Sequence, residues 1–190
     1  MTPAMSLAEV ACYERHLVGA KAVLEYGTGG STVLAGKAGV ASLYSVESDV
    51  TWLESVRADP AVAELIAAGR AKLVLVDLGR IGRWGKPKNK MWMPWWPGYA
   101  RRPWQDGFKP DLVLVDGRFR VSCIMQALLN GGPGTKIVVH DFWRRHYYHA
   151  VLEFAAPIDR ADSMVVLQSK GQKADFRSRW IAWRYLYDHR

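Results

Sequence analysis

Five short apolar segments alternate with helix-like segments, and this alternation constrains the fold of the chain most strongly. The segments read "AKAVLEY", "ASLYSVE", "AKLVLVD", "PDLVLVDG" and "TKIVVHD", and they begin at residues 20, 41, 71, 110 and 135. They are almost continuously apolar, which is typical of parallel strands buried on both faces. With two late segments, "SMVVLQS" and "RWIAWRYLY", expected to form a hairpin, we predict a three-layer α-β-α sandwich. Its sheet has seven strands, mostly parallel, with one antiparallel edge strand.

Acidic residues lie at or next to the carboxyl ends of all five early segments. They are Glu25, Glu47, Asp77, Asp116 and Asp141. In open α/β sheets, ligands bind outside the carboxyl ends of the strands. One or two of these acids could simply cap helices, but the whole set predicts a site along one edge of the sheet.

The first strand runs into a glycine turn, "VLEYGTGGST", that differs from a dinucleotide fingerprint. In a G-x-G-x-x-G fingerprint counted from Gly27, the third glycine would stand where this chain has Thr32. Glu25 precedes the turn, and a carboxylate there would repel a pyrophosphate. It would suit a cationic ligand, and S-adenosylmethionine carries an ammonium and a sulfonium and has no phosphate.

These residues resemble the first motif of the class I S-adenosylmethionine-dependent methyltransferases, in which an acid and then G-x-G end the first strand. The similarity extends over roughly residues 20 to 190, apart from one insertion. It implies that Glu47 binds the ribose hydroxyls, that Asp77 and Leu78 lie at the adenine, and that Asp116 faces the methyl donor and substrate. The implied cofactor site consists of Glu25, Gly27, Thr28, Gly29, Gly30, Ser31, Glu47, Ser48, Asp77 and Leu78.

An insertion rich in Trp, Lys and Arg separates the third and fourth strands, at about residues 78–109. Its first 28 residues contain no acid, five of the nine tryptophans and seven Lys or Arg. Loops of this length are uncommon unless they are functional or disordered, and the aromatic content argues against disorder. We predict a substrate lid, with Trp95 and Trp96 as candidate stacking residues. Packing against the body or a second subunit is the alternative, and the same composition also fits single-stranded nucleic acid.

Methyl transfer requires an aligned nucleophile and, for a hydroxyl, a group that takes its proton. His140 is the first candidate for general base because imidazole titrates near neutral pH, Asp141 is the second, and Asp116 lies beside them. A purely structural His140 is the alternative. Arg118 and Arg120 could bind a carboxylate or phosphate of the substrate, or could be solvated charges at a helix start.

A divalent metal is left open by the sequence, and no metal site is predicted. Metal-dependent O-methyltransferases of this fold place an Asp after the fourth strand and an Asp-Asn pair after the fifth. This chain has Asp116 and then His140-Asp141, so the positions are similar but the residues differ.

Composition narrows the class of protein further. The chain has 190 residues, 49% hydrophobic, with a net charge of +8 that favours anionic partners. It has no membrane-length apolar run and no signal-like start, and two distant cysteines fit a reducing compartment. We therefore predict one cytoplasmic domain over residues 1–190 with no membrane partner. Its oligomeric state is not defined by the sequence.

The predicted function is methyl transfer from S-adenosylmethionine to a small or medium acceptor, which could be anionic or sugar-like, with oxygen as the favoured acceptor atom. A methyltransferase acting on RNA or another macromolecule is the first alternative. The second is a non-catalytic protein of the same fold.

Overall fold

The computed structural model describes residues 1–171 and 173–190, and its strands form one seven-stranded sheet. The strands are β1 Ala22–Tyr26, β2 Ser42–Glu47, β3 Ala71–Leu75, β4 Leu112–Val115, β5 Lys136–Val139, β6 Ala155–Ala161 and β7 Met164–Ser169. Their order is β3-β2-β1-β4-β5-β7-β6, and β1 to β5 pair in parallel. β7 is antiparallel to both of its neighbours. The reversed strand therefore lies next to the edge strand β6 rather than at the edge itself.

Helices cover both faces of the sheet, which confirms the predicted layered architecture. They are α1 Leu7–Leu17, α2 Gly30–Lys37, α3 Val50–Arg57, α4 Pro60–Ala67, α5 Pro97–Gln105, α6 Arg120–Asn130 and α7 Phe176–Arg184. The start of α1 is a capping box, in which Ser6 and Glu9 satisfy each other's backbone N–H groups. Asp49 caps α3 through the N–H of Trp52. Within the described residues, no helix is long and apolar enough to cross a membrane.

The sheet separates two main hydrophobic clusters. One contains Tyr26, Tyr99 and Phe119 with side chains from α5 and α6, and the other contains Cys12 and Tyr13 of α1. The central strands β1 and β4 contribute to both clusters, which explains their continuous apolar sequences. This packing fixes the carboxyl ends of β1, β2, β4 and β5 along one edge.

The predicted late hairpin is right in one strand and wrong in the other. "SMVVLQS" contains β7, but its partner is β6, whose sequence "AAPIDRA" carries little strand signal because it is an exposed edge. "RWIAWRYLY" is helical, since α7 and a 3₁₀ turn at Tyr185–Tyr187 cover it. Ser178, Ala182 and Leu186 are buried at four-residue spacing, and that period belongs to a helix.

The insertion at residues 78–109 also differs from the predicted loop. Its second half is the helix α5, which forms the crossover from β3 to β4 and buries Tyr99, Ala100 and Pro103. A short bridge between Ile81 and Pro87 and two 3₁₀ turns precede the helix. Four prolines and clustered tryptophans concealed the helical period in the sequence.

Candidate cofactor and substrate cleft

Gly27 begins the turn after β1 and could not be replaced without distortion. Its φ is +95°, and a Cβ atom there would lie 2.7 Å from the backbone of Gly117, which follows β4. The loops after β1 and β4 therefore touch through bare backbone. This contact brings the glycine turn and Asp116 to the same cleft.

We expect Gly27→Ala to lower the free energy of unfolding by about 2 kcal/mol, through a positive φ and a backbone clash. Gly39→Ala is the matched control, because Gly39 has a φ of +67° but its Cβ would meet no atom within 4 Å. In the control the free energy of unfolding should fall by only about 1 kcal/mol, the cost of placing a Cβ on a residue with positive φ. Urea unfolding measures both, and equal losses would refute the close approach of the two loops.

Glu25 does not face the cleft, so its predicted contact with the cofactor is corrected. Its side chain is fully buried under the turn and accepts hydrogen bonds from the hydroxyls of Ser31, Thr32 (2.5 Å) and Ser45 (2.8 Å). Burial outweighs these hydrogen bonds and raises the pKa of Glu25 to about 7. Glu25 therefore holds the first turn of α2 through the hydroxyls of Ser31 and Thr32.

Glu47 lies at the end of β2 in the wall of the cleft. One oxygen accepts from the N–H groups of Ser48 (2.6 Å) and Asp49 (3.0 Å), and the other accepts from the N–H of Thr28 (3.1 Å). Burial raises the pKa of this carboxyl despite these hydrogen bonds. The carboxylate therefore joins the glycine turn to the start of α3.

Of the ten residues predicted to bind the cofactor, seven line the cleft: Gly27, Thr28, Gly29, Gly30, Ser31, Glu47 and Ser48. Asp77 and Leu78 are not among the lining residues, and their predicted place at the adenine stays a prediction. The Asp77 carboxylate caps the N–H of Gly79 at 2.8 Å, and Leu78 is fully buried. The turn at 83–86, which comes later in the insertion, occupies the rim instead.

Trp95 and Trp96 also lie away from the cleft, so their predicted role in stacking on a substrate is corrected. Trp96 is buried against Phe119 and donates its indole N–H to the carbonyl of Leu78 at 3.3 Å. Trp95 is exposed but packs against Trp92. Trp84 is the insertion tryptophan that lines the cleft, and it lies beside the guanidinium of Arg83.

Asp116 and His140 meet at the ends of β4 and β5, with Nδ1 of His140 2.8 Å from Oδ1 of Asp116. Arg120 reaches the same oxygen at 3.0 Å and donates to the backbone carbonyls of Asp116, Gly117 and His140. These carbonyl bonds make Arg120 a structural clamp; it also lines the cleft, and its predicted substrate contact stays a prediction. Oδ2 of Asp116 accepts no hydrogen bond from the described residues.

Glu9 completes this group, and sequence reasoning missed it. Its carboxylate lies 3.4 Å from Nε2 of His140 and also accepts hydrogen bonds from the backbone and hydroxyl of Ser163. In the sequence Glu9 reads only as the last residue of a capping box. Its meeting with His140 depends on how α1 packs beside β5.

His140 therefore has a carboxylate at each ring nitrogen. Burial lowers the pKa of His140, but the hydrogen bond to Asp116 and the charges of Asp116 and Asp141 outweigh it, so the pKa is raised. The pKa of Glu9 is lowered, because hydrogen bonds from Ser163 and Ser6 and the charge of His140 outweigh its burial. The two carboxylates thus stabilise the protonated form of His140 relative to a free imidazole, and its predicted role as general base stays a prediction.

The raised pKa of His140 predicts a pH-dependent contribution to stability. Folded His140 holds its proton more tightly than unfolded His140, so the contribution is complete below about pH 6.5 and is lost as the pH rises through the folded-state pKa. We expect the difference in unfolding free energy between the unmodified chain and His140→Gln to shrink as the pH rises above about 6.5. Urea unfolding measures it, with exposed His146→Gln as control. A difference that stays constant with pH would contradict the ion pairs.

Asp141 lines the cleft but is held by Arg145, whose guanidinium lies 2.7 Å from its carboxylate. Burial raises the pKa of Asp141, but Arg145 and the nearby His140 and Arg120 charges bring it below its usual value. Guanidinium groups thus hold both carboxylates that a divalent metal would need. One oxygen of each carboxylate accepts no hydrogen bond from the described residues, so the question of a divalent metal stays as the sequence left it.

Arg118 differs from its neighbours in lacking an anionic partner among the described residues. It lines the cleft, and its Nε atom is buried without a hydrogen-bond partner. Burial and the charge of Arg120 lower the pKa of Arg118. A half-buried guanidinium of this kind is ready to bind an anion.

The N-terminal segment is a second feature that sequence reasoning missed. Thr2 and Pro3 line the cleft, and their backbone occupies the space that a Cβ atom of Gly30 would fill, at 2.0 to 2.5 Å. Trp52 was also missed, and its indole donates to the carbonyl of Thr28 at 2.6 Å. No local pattern in the sequence marks either contact.

No protein-family model and no curated protein sequence matches the chain. Among solved structures, it is similar to a methyltransferase-like protein from Silicibacter pomeroyi DSS-3, at 30% identity and a TM-score of 0.84. The match covers 98% of this chain and 97% of that one. The strand order and the cleft at the ends of β1, β2, β4 and β5 define a Rossmann-like methyltransferase fold. The fold and the similarity to this relative show that the chain belongs to the class I S-adenosylmethionine-dependent methyltransferase family.

More distant structures share the fold. An O-methyltransferase from Bacillus cereus in complex with SAH is 14% identical, has a TM-score of 0.60 and is matched over 88% of this chain and 84% of its own. TomG, an O-methyltransferase from Streptomyces achromogenes in complex with SAM, is 19% identical, with a TM-score of 0.61 over 88% and 82% of the two chains.

Proposed function

We propose that the chain, acting as one domain, binds S-adenosylmethionine at the glycine turn and transfers its methyl group to an acceptor beside Asp116. The observation that carries the proposal is the Glu47 carboxylate, which lies in the cleft wall and accepts the N–H of Thr28. A dinucleotide-binding protein would offer the N–H groups of this turn to a pyrophosphate. In this chain the Glu47 carboxylate accepts one of those N–H groups and suits ribose hydroxyls, while Thr32 stands where a dinucleotide fingerprint would have its third glycine.

The dimensions of the cleft support a cofactor and an acceptor together. Its volume is about 1310 Å³, above the roughly 300 to 1,000 Å³ of common small-molecule pockets. Gly27, Gly29 and Glu47 line the cleft together with Asp116 and Arg118. A small or medium acceptor fits this arrangement.

The bound cofactor supplies a methyl group activated by a sulfonium, and the protein must align the acceptor and receive its proton. We assign that role to Oδ2 of Asp116, which lies in the cleft and accepts no hydrogen bond from the described residues. His140 and Arg120 hold the opposite oxygen and fix the orientation of the carboxylate. His140 is therefore a positioning residue, and a proton acceptor at this place favours a hydroxyl acceptor.

The lid function is proposed only for the rim segment 83–86. Arg83, Trp84 and Lys86 line the cleft, and Trp84 is 71% exposed with a φ of +62°. With Arg118 at the floor, these cations suit an acceptor that carries a carboxylate, phosphate or ring system.

Calorimetry with S-adenosylmethionine, with NAD as the competing ligand class, tests the cofactor assignment. We expect S-adenosylmethionine to bind with one-to-one stoichiometry and NAD to show no binding. Release of S-adenosylhomocysteine is then screened with phenols, hydroxy acids, phosphorylated metabolites and RNA. Turnover on RNA alone would overturn the small-acceptor proposal, and cofactor binding without turnover on any acceptor would favour a non-catalytic protein.

A further inference from the structure

Three side chains with metal-binding atoms meet outside the cleft, where α1 packs on the edge strand β6. Cys12 and His16 are four residues apart on one face of α1, and Asp159 lies on β6. Oδ2 of Asp159 is 3.0 Å from Nε2 of His16 and 3.7 Å from Sγ of Cys12. All three atoms lie within 4.8 Å of one another.

The Oδ2–Sγ separation of 3.7 Å lies within the range for ligands of a tetrahedral zinc ion, and the Oδ2–Nε2 separation of 3.0 Å lies about 0.3 Å below it. Zinc bonds of about 2.0 to 2.3 Å place neighbouring ligand atoms roughly 3.3 to 3.8 Å apart. The donors are one sulfur, one imidazole nitrogen and one carboxylate oxygen, a set typical of Zn²⁺ and unsuited to Mg²⁺ or Ca²⁺. The other oxygen of Asp159 accepts the N–H of Arg160 at 2.8 Å, which orients the carboxylate.

The cluster is enclosed on one side and open on the other. Cys12 is fully buried, whereas the side chains of His16 and Asp159 are 14% and 31% exposed. Solvent therefore reaches the outer side of the cluster, where a water molecule could complete four ligands. None of the three residues lines the cofactor cleft.

Arg15 would compete with a bound cation for the carboxylate of Asp159. Its guanidinium lies 3.0 Å from Oδ2 of Asp159, and its side chain is 57% exposed. An exposed ion pair contributes little stability and its long side chain can turn into solvent. The guanidinium can therefore leave when a cation of higher charge binds, although its charge lowers the affinity for that cation.

We propose that Cys12, His16 and Asp159 form a Zn²⁺ site that fastens α1 to β6. Binding forms the Sγ–Zn, Nε2–Zn and Oδ2–Zn bonds and replaces the hydrogen bond between Nε2 and Oδ2; the thiol proton passes to solvent, and the imidazole proton moves from Nε2 to Nδ1. Burial raises the pKa of the Cys12 thiol, so the metal competes with that proton. The site lies one turn along α1 from Glu9, and it therefore stabilises the helix that carries the partner of His140.

Titration of the metal-free full chain with Co²⁺ as a spectroscopic probe, followed by displacement with Zn²⁺, tests the site. We expect one equivalent of Co²⁺ to give a thiolate charge-transfer band and the intense visible bands of four-coordinate cobalt, and one equivalent of Zn²⁺ to abolish both. Zn²⁺ should also raise the Tm. Absence of the charge-transfer band would overturn the proposal.

Variants assign the ligands. Cys12→Ser should remove the charge-transfer band, and the surface change His16→Gln should weaken Zn²⁺ binding at least about tenfold. Cys123→Ser is the matched control, because that cysteine is equally buried but lies on α6, and it should leave the band unchanged. Arg15→Gln should strengthen binding, since it removes the competing cation. A band that persists in Cys12→Ser, or unchanged affinity in both His16→Gln and Arg15→Gln, would refute the site.

Discussion

Asp116→Asn is expected to reduce methyl transfer by about 100- to 10,000-fold, the usual contribution of a positioned proton acceptor. The amide keeps the shape of the side chain but cannot receive the acceptor's proton at the Oδ2 position. Affinity for S-adenosylmethionine should remain, because the amide keeps the shape of the side chain and the Glu47 carboxylate is unchanged. Release of S-adenosylhomocysteine measures turnover on an acceptor found by screening, and calorimetry measures binding.

His140→Gln serves as the comparison for this variant. A positioning residue should affect turnover less than Asp116 does and should shift its pH profile, since the imidazole of His140 and Arg120 share Oδ1 of Asp116. If His140→Gln abolishes turnover while Asp116→Asn retains it, the two roles are reversed. A large loss of cofactor affinity in Asp116→Asn would also contradict the assignment.

Glu47→Ala is expected to weaken S-adenosylmethionine binding by about 100-fold or more. Two hydrogen bonds from ribose hydroxyls to a carboxylate contribute about 1.5 kcal/mol or more each, and about 3 kcal/mol corresponds to a factor of about 100 in affinity. Calorimetry measures the change, with exposed Glu64→Gln on α4 as control. Unchanged affinity in a folded Glu47 variant would refute the ribose assignment.

Glu47 also holds backbone N–H groups of Thr28, Ser48 and Asp49, so a weaker affinity could arise from a displaced turn. The 2′-deoxy analogue of S-adenosylhomocysteine separates the two causes. Against the unmodified chain the analogue should bind more weakly than S-adenosylhomocysteine. Against Glu47→Ala the two should bind alike. If the analogue loses the same factor in affinity against both proteins, Glu47 acts only on the turn.

Local sequence patterns were sufficient for much of the framework. The early strands, the capping box of Ser6 and Glu9, and the cap at Asp49 were predictable because periodicity and capping are local properties. The helix α5 and the edge strand β6 were not, because prolines hide the helical period in one and an exposed edge carries little apolar signal in the other.

The sequence by itself determined the class of fold, the glycine turn and the acids at the strand ends, since these depend on residues near one another in the chain. Only the tertiary structure decided which acids face the cleft. A strand buried on both faces has no alternation to reveal a direction, so Glu25 and Glu47 look alike in sequence although one lies beneath the turn and the other in the cleft wall. The meeting of His140 with Glu9 joins residues 131 positions apart, and only the packing of α1 against the sheet brings them together.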